Sequence, residues 1–220
     1  MNLKINVQLK TRFSDLTVLT CNVKGIKVET QNVELEKFKD EITEKVREKY
    51  DLDSVKNLST FRAYRGFFWR VGIDPTKNRP AAEALIRRIL GGRTIPHINT
   101  LVDAYNLASV KTEIALAAFD ANKLKGDLFM RFAEEGEKFL GIGMEKPMLL
   151  QGGEIVVSDS EKLVAIYPYR DADITKITEK TKNVTLLVCG VPGIGEETLQ
   201  NAAQVALEYI TRFCDGEGKI

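Results

Sequence analysis

The sequence predicts a mixed α/β fold of the α+β kind, a domain whose mixed, largely antiparallel sheet region is flanked by helices. Three observations lead there. Amphipathic helical spacing occurs near both ends of the chain, over residues 34–50 and 196–213. Between residues 114 and 189, short segments rich in β-branched residues, several of them alternating apolar and polar, mark clustered strands. The two kinds of signal do not follow the regular β-α-β order that a doubly wound parallel sheet requires. No repeat, low-complexity tract or linker divides the chain, so residues 1–60 read as the N-terminal strand and helix part of the same domain and 61–220 as its core.

Leu3, Ile5, Val7 and Leu9 alternate with polar neighbours, which predicts a half-buried strand. Val18–Val28 is a second strand region, broken by a turn at Lys24-Gly25. In Glu34–Tyr50, Leu35, Phe38, Ile42 and Val46 share one helical face and charge occupies the others. The stretch VGIDPTKNRPAAEALIRRIL, residues 71–90, joins a stiff basic turn to a helix. Pro80 stands where the first helical turn tolerates proline, Glu83 complements the helix N-terminus, and Ala82, Leu85, Ile86, Ile89 and Leu90 form the buried face. Gly91-Gly92 ends this helix, and Glu83 and Arg87 stand as an i,i+4 pair worth about 0.3–0.5 kcal/mol. A short helix follows at Ile98–Leu107, then a strand or turn at Ile114–Phe119. Leu128, Met130 and Phe132 alternate as a strand, and the apolar, β-branched runs at Ile155–Val157, Leu163–Tyr167 and Val184–Cys189 are further strand candidates. The last helix, Glu196–Phe213, carries Leu199, Ala202, Ala203, Ala206, Leu207, Ile210 and Phe213 on one stripe.

Composition narrows the chemistry. With 220 residues, 44% of them hydrophobic, the chain can bury a sizeable core, and no apolar run reaches the roughly 20 residues that span a bilayer. The alternating N-terminus reads as no signal peptide, so a soluble protein without membrane association is expected. Cys21, Cys189 and Cys214 are odd in number and widely spaced, which suggests neither a disulfide framework nor a metal knuckle and points to a reducing, cytoplasmic compartment. His97 is the only histidine, so Ser/His/Asp, Cys/His and multi-histidine metal schemes drop out, and neither cofactor nor metal is expected.

The formal net charge is +1, but the charges are sorted along the chain. Nine acidic and five basic residues lie between Glu29 and Asp53, whereas eight basic residues face only Asp74 and Glu83 between Arg62 and Arg93. Lys77 and Arg79 beside a helix N-terminus suit an anion such as phosphate or carboxylate; the alternative is a loop clamped internally, with Asp74 binding Arg79. The loop Gly190-Val-Pro-Gly-Ile-Gly195 looks like a phosphate cradle but lacks the Lys-Ser/Thr of a P-loop, so a plain strand-to-helix turn is the preferred reading. His97 reads as a packed or capping side chain before it reads as a base. Tyr167–Asp173 joins aromatics, an arginine and two carboxylates, which fits either a hairpin with a local ion pair or a ligand pocket.

Five motifs in order resemble the B3/B4 domain of the bacterial phenylalanyl-tRNA synthetase beta subunit, and more closely free-standing B3/4-domain proteins. Residues 98–106, INTLVDAYN, are similar to the synthetase pattern N-N-V-V-D-V-T-N. Residues 118–126, AFDANKLKG, resemble A-F-D-x-D-K-L-x-G, and 131–137, RFAEEGE, resemble R-x-A-x-x-G-E. Residues 154–159, EIVVSD, and 177–184, ITEKTKNV, are similar to x-L-V-I-A-D and V-x-x-x-T-x-N-V. The stretch G-x-D-P-T-K-x-R-P followed by E-A-L-x-R-R looks like a hallmark of the free-standing proteins. Two positions depart from the synthetase: Ala117 stands where histidine typically precedes A-F-D, and Asp171-Ala172-Asp173 stands for a glycine-glycine-acid turn. Tyrosine-specific editing is therefore not carried over.

The resemblance implies a domain that accepts the aminoacylated 3′ end of tRNA and, in the synthetase, hydrolyses a mischarged amino-acid ester. Its implied partners are tRNA and an aminoacyl-tRNA synthetase. Ester hydrolysis needs a positioned water and stabilisation of a developing oxyanion, with the vicinal ribose hydroxyl able to assist proton transfer. By position, Asn99, Asp103 and Asn106 are the candidates for lining the pocket or placing water, though Asp103 and Asn106 serve equally well as hydrogen-bonders that fix the helix. Arg170, Asp171 and Asp173, with Asn99, are the candidates for holding the amino acid, a carboxylate pairing its α-ammonium. Lys77, Arg79 and Arg88 would contact phosphates. Three functions stay open here: a deacylase acting in trans, a non-catalytic binding module accessory to a synthetase, and a hydrolase of small amino-acid esters or amides.

Overall fold

The computed structural model describes residues 2–220. In chain order its elements are β1 (Leu3–Ile5), α1 (Val7–Arg12), β2 (Leu19–Lys24), α2 (Val33–Lys49), α3 (Ser59–Arg70), α4 (Ala81–Leu90), α5 (Thr100–Thr112), β3 (Leu116–Asp120), β4 (Leu128–Phe132), β5 (Lys138–Phe139), β6 (Met148–Leu149), β7 (Ile155–Ser158), β8 (Leu163–Ile166), β9 (Arg170–Asp171), β10 (Asn183–Val188), α6 (Glu196–Cys214) and β11 (Glu217–Lys219). One sheet runs β1-β4-β7-β8-β9, a second runs β11-β2-β10-β3, and β5 and β6 form a separate pair. Among the described residues only β1 with β4 is parallel and every other ladder is antiparallel, as expected for a mixed, largely antiparallel arrangement. Strands from the first sixty residues complete both sheets, β1 against β4 and β2 against β10.

The main core lies between the helices and the two sheets. α2 turns Leu35, Phe38, Ile42 and Val46 inward, and α6 buries Leu199, Ala202, Ala203, Ala206 and Ile210. On the five-stranded sheet the pleat sends successive side chains to opposite faces. Val157 and Ala165 join the main core, while Val156 and Ile166 join a smaller cluster with Phe139, Leu150 and Ala172. Both faces of β7 are thereby buried, which is why that strand reads as a continuous apolar run rather than an alternation.

Two expectations change. The alternation from Leu3 to Leu9 does not continue as a strand beyond Ile5. The Asn6 side chain caps a new helix by accepting from the Gln8 amide at 2.8 Å, which leaves Val7 exposed and Leu9 buried. Glu83 and Arg87 do not pair. Glu83 is fully buried and takes two hydrogen bonds from Arg65 on α3, at 2.9 and 3.1 Å, while Arg87 donates to the Leu52 carbonyl. Glu83 points into the protein, where the Arg65 guanidinium neutralises it, while Arg87 is drawn to the Leu52 carbonyl, so the two side chains do not meet.

The chain passes from β10 to α6 at close quarters. A Cβ on Gly190 would lie 2.2 Å from the Thr17 carbonyl oxygen, so only glycine permits this approach. Tyr64 donates to the Cys189 carbonyl and accepts from the Ala115 amide, and Tyr167 donates to the Gly190 carbonyl. Two buried tyrosines thus pin the end of β10 against β3 and β8. The loop that follows already has protein acceptors for its amides, Ile194 donating to the Val191 carbonyl within the loop and Gly193 to the Asp15 carboxylate, as in a strand-to-helix turn.

Candidate functional site

The edge strands of the two sheets, β9 and β3, meet with the end of β10 behind them and α5 alongside. This junction leaves a cleft of about 180 Å³. Its apolar wall comes from Leu116 and Ala117 on β3, Ala165 on β8 and Leu187 on β10, and its polar groups are Asn106, Arg170, Asp171 and the thiol of Cys189. Tyr167 joins Pro168 through a cis peptide bond at the rim.

Asp171 is the electrostatic centre of the cleft. Burial raises its carboxyl from 3.8 to about 7, opposed by the backbone amide of Ala118. The residue is half-buried and belongs to the cleft lining. Close by, the Tyr105 phenol is pushed up by burial and by the charge of Asp171. The Cys189 thiol is also raised, first by burial and then by Asp171, so it stays protonated and unreactive as a nucleophile. An acid held near neutrality in a small, partly apolar cleft is suited to receiving a cation, or to exchanging a proton with a bound group.

A wider groove of about 650 Å³ adjoins this cleft. Arg79, Arg87, Arg88 and Arg93 line it, and Ala81 and Asn106 line both the groove and the cleft. Ala81 begins α4, whose N-terminus has no side-chain cap because Pro80 occupies the capping position. First-turn amides and the positive end of the helix dipole therefore lie at the seam between the two cavities, while Arg87 and Arg88 in the last turn of α4 and Arg93 beyond it line the groove farther along. Arg88 is held by its Nε bond to the Thr94 carbonyl at 2.6 Å. Among the described residues no carboxylate lies within ion-pairing distance of Arg79 or Arg93.

The sequence candidates distribute unevenly over this geometry. Asn106 lies at the seam, Arg170 and Asp171 line the cleft, and Arg79 and Arg88 line the groove. Asn99 does not reach the cleft lining. It caps α5, its side chain accepting from the Val102 amide at 3.0 Å. Asp103 is fully buried away from the cleft, bound to Lys39 at 2.6 Å and accepting from the Ile98 amide. Asp173 pairs with Lys176 at 2.8 Å outside the cleft. Lys77 sits on the exposed turn and is absent from the groove lining. The internal clamp between Asp74 and Arg79 does not form, because the Asp74 carboxylate turns back to the amide and hydroxyl of Thr76 at 2.8 and 2.6 Å. Arg170 stacks over the Tyr169 ring and donates to the Ile142 carbonyl at 3.2 Å, so its guanidinium already has protein partners.

Glu36, His97 and Asp103 bring three ligand-type atoms together, but Lys39 fills the space between them. Its ammonium lies 2.8 Å from Glu36, 2.6 Å from Asp103 and 3.4 Å from the His97 Nδ1. A side-chain cation does there what a metal would do, and His97 is a packing neighbour of that pair. Sequence reading missed Tyr105, Ala81 and Arg93. The signal for Tyr105 was available, since a bulky phenol stands where the synthetase pattern N-N-V-V-D-V-T-N has threonine. Ala81 carried no signal, because it acts through its place at a helix start.

A family model described as the B3/4 domain matches residues 63–215. The phenylalanine–tRNA ligase beta subunit of Fusobacterium nucleatum subsp. nucleatum is 33% identical over 88 residues, 40% of this chain and 11% of that protein. The same subunit from Bartonella quintana is 27% identical over 176 residues, 70% of this chain and 22% of that protein. The chain thus spans less than a quarter of the length of these relatives. The fold is similar to the crystal structure of an N-terminal fragment of the phenylalanyl-tRNA synthetase beta subunit from Pyrococcus horikoshii. The TM-score is 0.54 at 15% identity, covering 99% of this chain and 50% of the other. No helix among the described residues is long and apolar enough to cross a membrane. With the matched span taking in more than half of its residues, the chain belongs to the B3/4 domain family.

Proposed function

We propose that this protein binds the aminoacylated 3′ end of a tRNA and hydrolyses the ester between amino acid and ribose, acting in trans on mischarged tRNA. One observation carries the reading: an acid-bearing cleft opens onto an arginine-lined groove, and Ala81 and Asn106 belong to both. A molecule that fills both cavities must be anionic and extended at one end and small and cationic at the other. An aminoacylated nucleotide end has that form, with backbone phosphates on one side of the ester and an α-ammonium on the other.

In this arrangement Arg79, Arg88 and Arg93 receive phosphates, and the uncapped start of α4 adds amide donors. Asp171 pairs the α-ammonium, and the bound cation draws the carboxyl back towards its ionised form. The ester then lies at the seam, where the Asn106 amide is placed to hold a ribose hydroxyl or the attacking water. Water adds to the ester carbonyl carbon, the bond from that carbon to the ribose oxygen breaks, and the ribose oxygen takes up a proton. The vicinal hydroxyl and water carry that proton. The rate gain comes from placement and from dipoles aimed at the developing oxyanion, not from a nucleophilic side chain.

The test is deacylation of a panel of aminoacyl-tRNAs, each correctly or incorrectly charged. Turnover above the buffer rate on at least one member is expected, and none on any member would sink the hydrolase reading. A second reading, a non-catalytic module that recognises the aminoacylated end beside a synthetase, draws support from Ala117, which leaves the cleft without an imidazole. Calorimetry that finds binding of aminoacylated ends without turnover would select it.

A further inference from the structure

Resting on that placement of the aminoacyl group, we infer that the cleft admits only small amino acids, of the glycine, alanine and serine class, and that Tyr105 is the wall that excludes aromatic ones. The first argument is size. An apolar cavity of about 150 Å³ holds one benzene molecule, and this cleft measures about 180 Å³. With the ester at the seam, it must take the α-ammonium and α-carbon as well as the side chain. A phenylalanyl or tyrosyl group adds those atoms to a full ring and exceeds the space; a seryl group does not.

The second argument is the identity of the wall. Tyr105 lines the cleft within the electrostatic reach of Asp171 and Cys189. It occupies the position where the synthetase pattern has threonine, so a phenol fills volume that a hydroxyethyl side chain leaves open. Across the cleft, Ala117 replaces an imidazole. One exchange fills space on the α5 side and the other opens it on the β3 side, so the space is moved. The third argument is rigidity. Leu187 is fully buried, and Tyr167 is fastened to the Gly190 carbonyl, so these walls cannot swing aside without exposing a buried polar group. Close-packed surroundings resist expansion by even one methylene. The Tyr105 hydroxyl makes no hydrogen bond among the described residues, which leaves it available to a substrate oxygen.

The experiment measures binding of non-hydrolysable 3′-aminoacylamino-adenosine analogues carrying glycyl, alanyl, seryl, phenylalanyl and tyrosyl groups. In the unaltered protein the alanyl and seryl analogues should bind on the order of 100-fold more tightly than the tyrosyl one. Tyr105→Ala should narrow that ratio to within about tenfold, whereas Tyr105→Phe, which keeps the ring, should leave the order unchanged. Leu116→Ala widens the same cleft from β3 and serves if Tyr105→Ala fails to fold. Equal affinity for alanyl and tyrosyl analogues in the unaltered protein would overturn the inference, as would absence of binding by all of them. An unchanged ratio in a folded Tyr105→Ala variant would remove Tyr105 from its role. Because binding is the readout, small-over-aromatic order without deacylation of any tRNA would uphold the inference and sink the hydrolase reading alone.

Discussion

Replacing Asp171 by Asn tests the electrostatics of the cleft directly, because the two side chains have the same shape and differ in charge. Burial raises the Asp171 carboxyl from 3.8 to about 7. The folded pKa lies above the unfolded one, so below 3.8 both states hold the proton and the residue makes no contribution to pH-dependent stability. As pH rises past that point the unfolded chain ionises while the native one does not, and the native state loses stability until the pH passes about 7. At 1.36 kcal/mol per unit the full penalty is about 4 kcal/mol, and water at the accessible face reduces it to roughly 2–4 kcal/mol. Asp171→Asn should therefore be more stable than the parent by that amount near about pH 8, with the difference fading to zero below about pH 3. Urea unfolding at a series of pH values measures the difference as a shift in midpoint at constant slope. The same variant should bind aminoacyl-adenosine analogues more weakly, since the α-ammonium loses its counter-charge. A stability difference that stays constant with pH would refute the argument that burial of this carboxyl sets its pKa.

Binding of the same analogues to the parent protein should strengthen as pH rises through about 7, where Asp171 ionises, and weaken again as an α-amino group loses its proton at about 7.7–8.0; calorimetry across this range checks both limbs. Arg79→Ala and Arg93→Ala should each lower tRNA affinity and flatten its dependence on log salt by about 0.7 per lost phosphate contact, and an unchanged slope would assign the residue to folding. Asn99→Ala should lower stability by about 1 kcal/mol through the lost cap on α5 while the deacylation rate per folded molecule stays the same. Glu83→Ala leaves Arg65 without its buried partner and should destabilise the protein by about 3 kcal/mol in equilibrium unfolding.

The fold was legible wherever one face of an element is buried. The apolar spacing of Leu35, Phe38, Ile42 and Val46 marked α2, and Leu128 and Met130, both fully buried, marked β4. Reading failed where a local hydrogen bond overrode the pattern. Asn6 converts the second half of an alternating run into a helix, and Asp74 prefers Thr76 to the arginine five residues on. The site was less legible than the fold because its residues come from elements far apart in sequence. Asn99, Asp103 and Asn106 stand at i, i+4 and i+7 and share one side of α5, but Asn99 and Asp103 are engaged at the helix start by the Val102 amide and by Lys39, and only Tyr105 and Asn106, farther along the axis, line the cleft. A motif written as a string records neither the distance along the axis nor the partners a side chain has already taken.

The cations between Arg62 and Arg93 show how the structure divides a charge run into folding and binding parts. Arg65 neutralises the buried Glu83, Arg70 stacks on the Phe13 ring, and Arg87 and Arg88 bond the Leu52 and Thr94 carbonyls. Each of these has a structural partner that accounts for its position. Arg79 and Arg93 have no such carboxylate, yet both line the groove, Arg79 just before the positive end of α4 and Arg93 past its other end with Arg87 and Arg88. Like charges gathered without counter-charges repel one another, so this cluster lowers the stability of the free protein, and a bound polyanion offsets that repulsion. A cluster that served folding alone would be expected to carry its own acids, as Glu83 does for Arg65. The missing acids are what make the groove, and not the exposed basic turn at Lys77, the stronger candidate for the phosphate side of the ester.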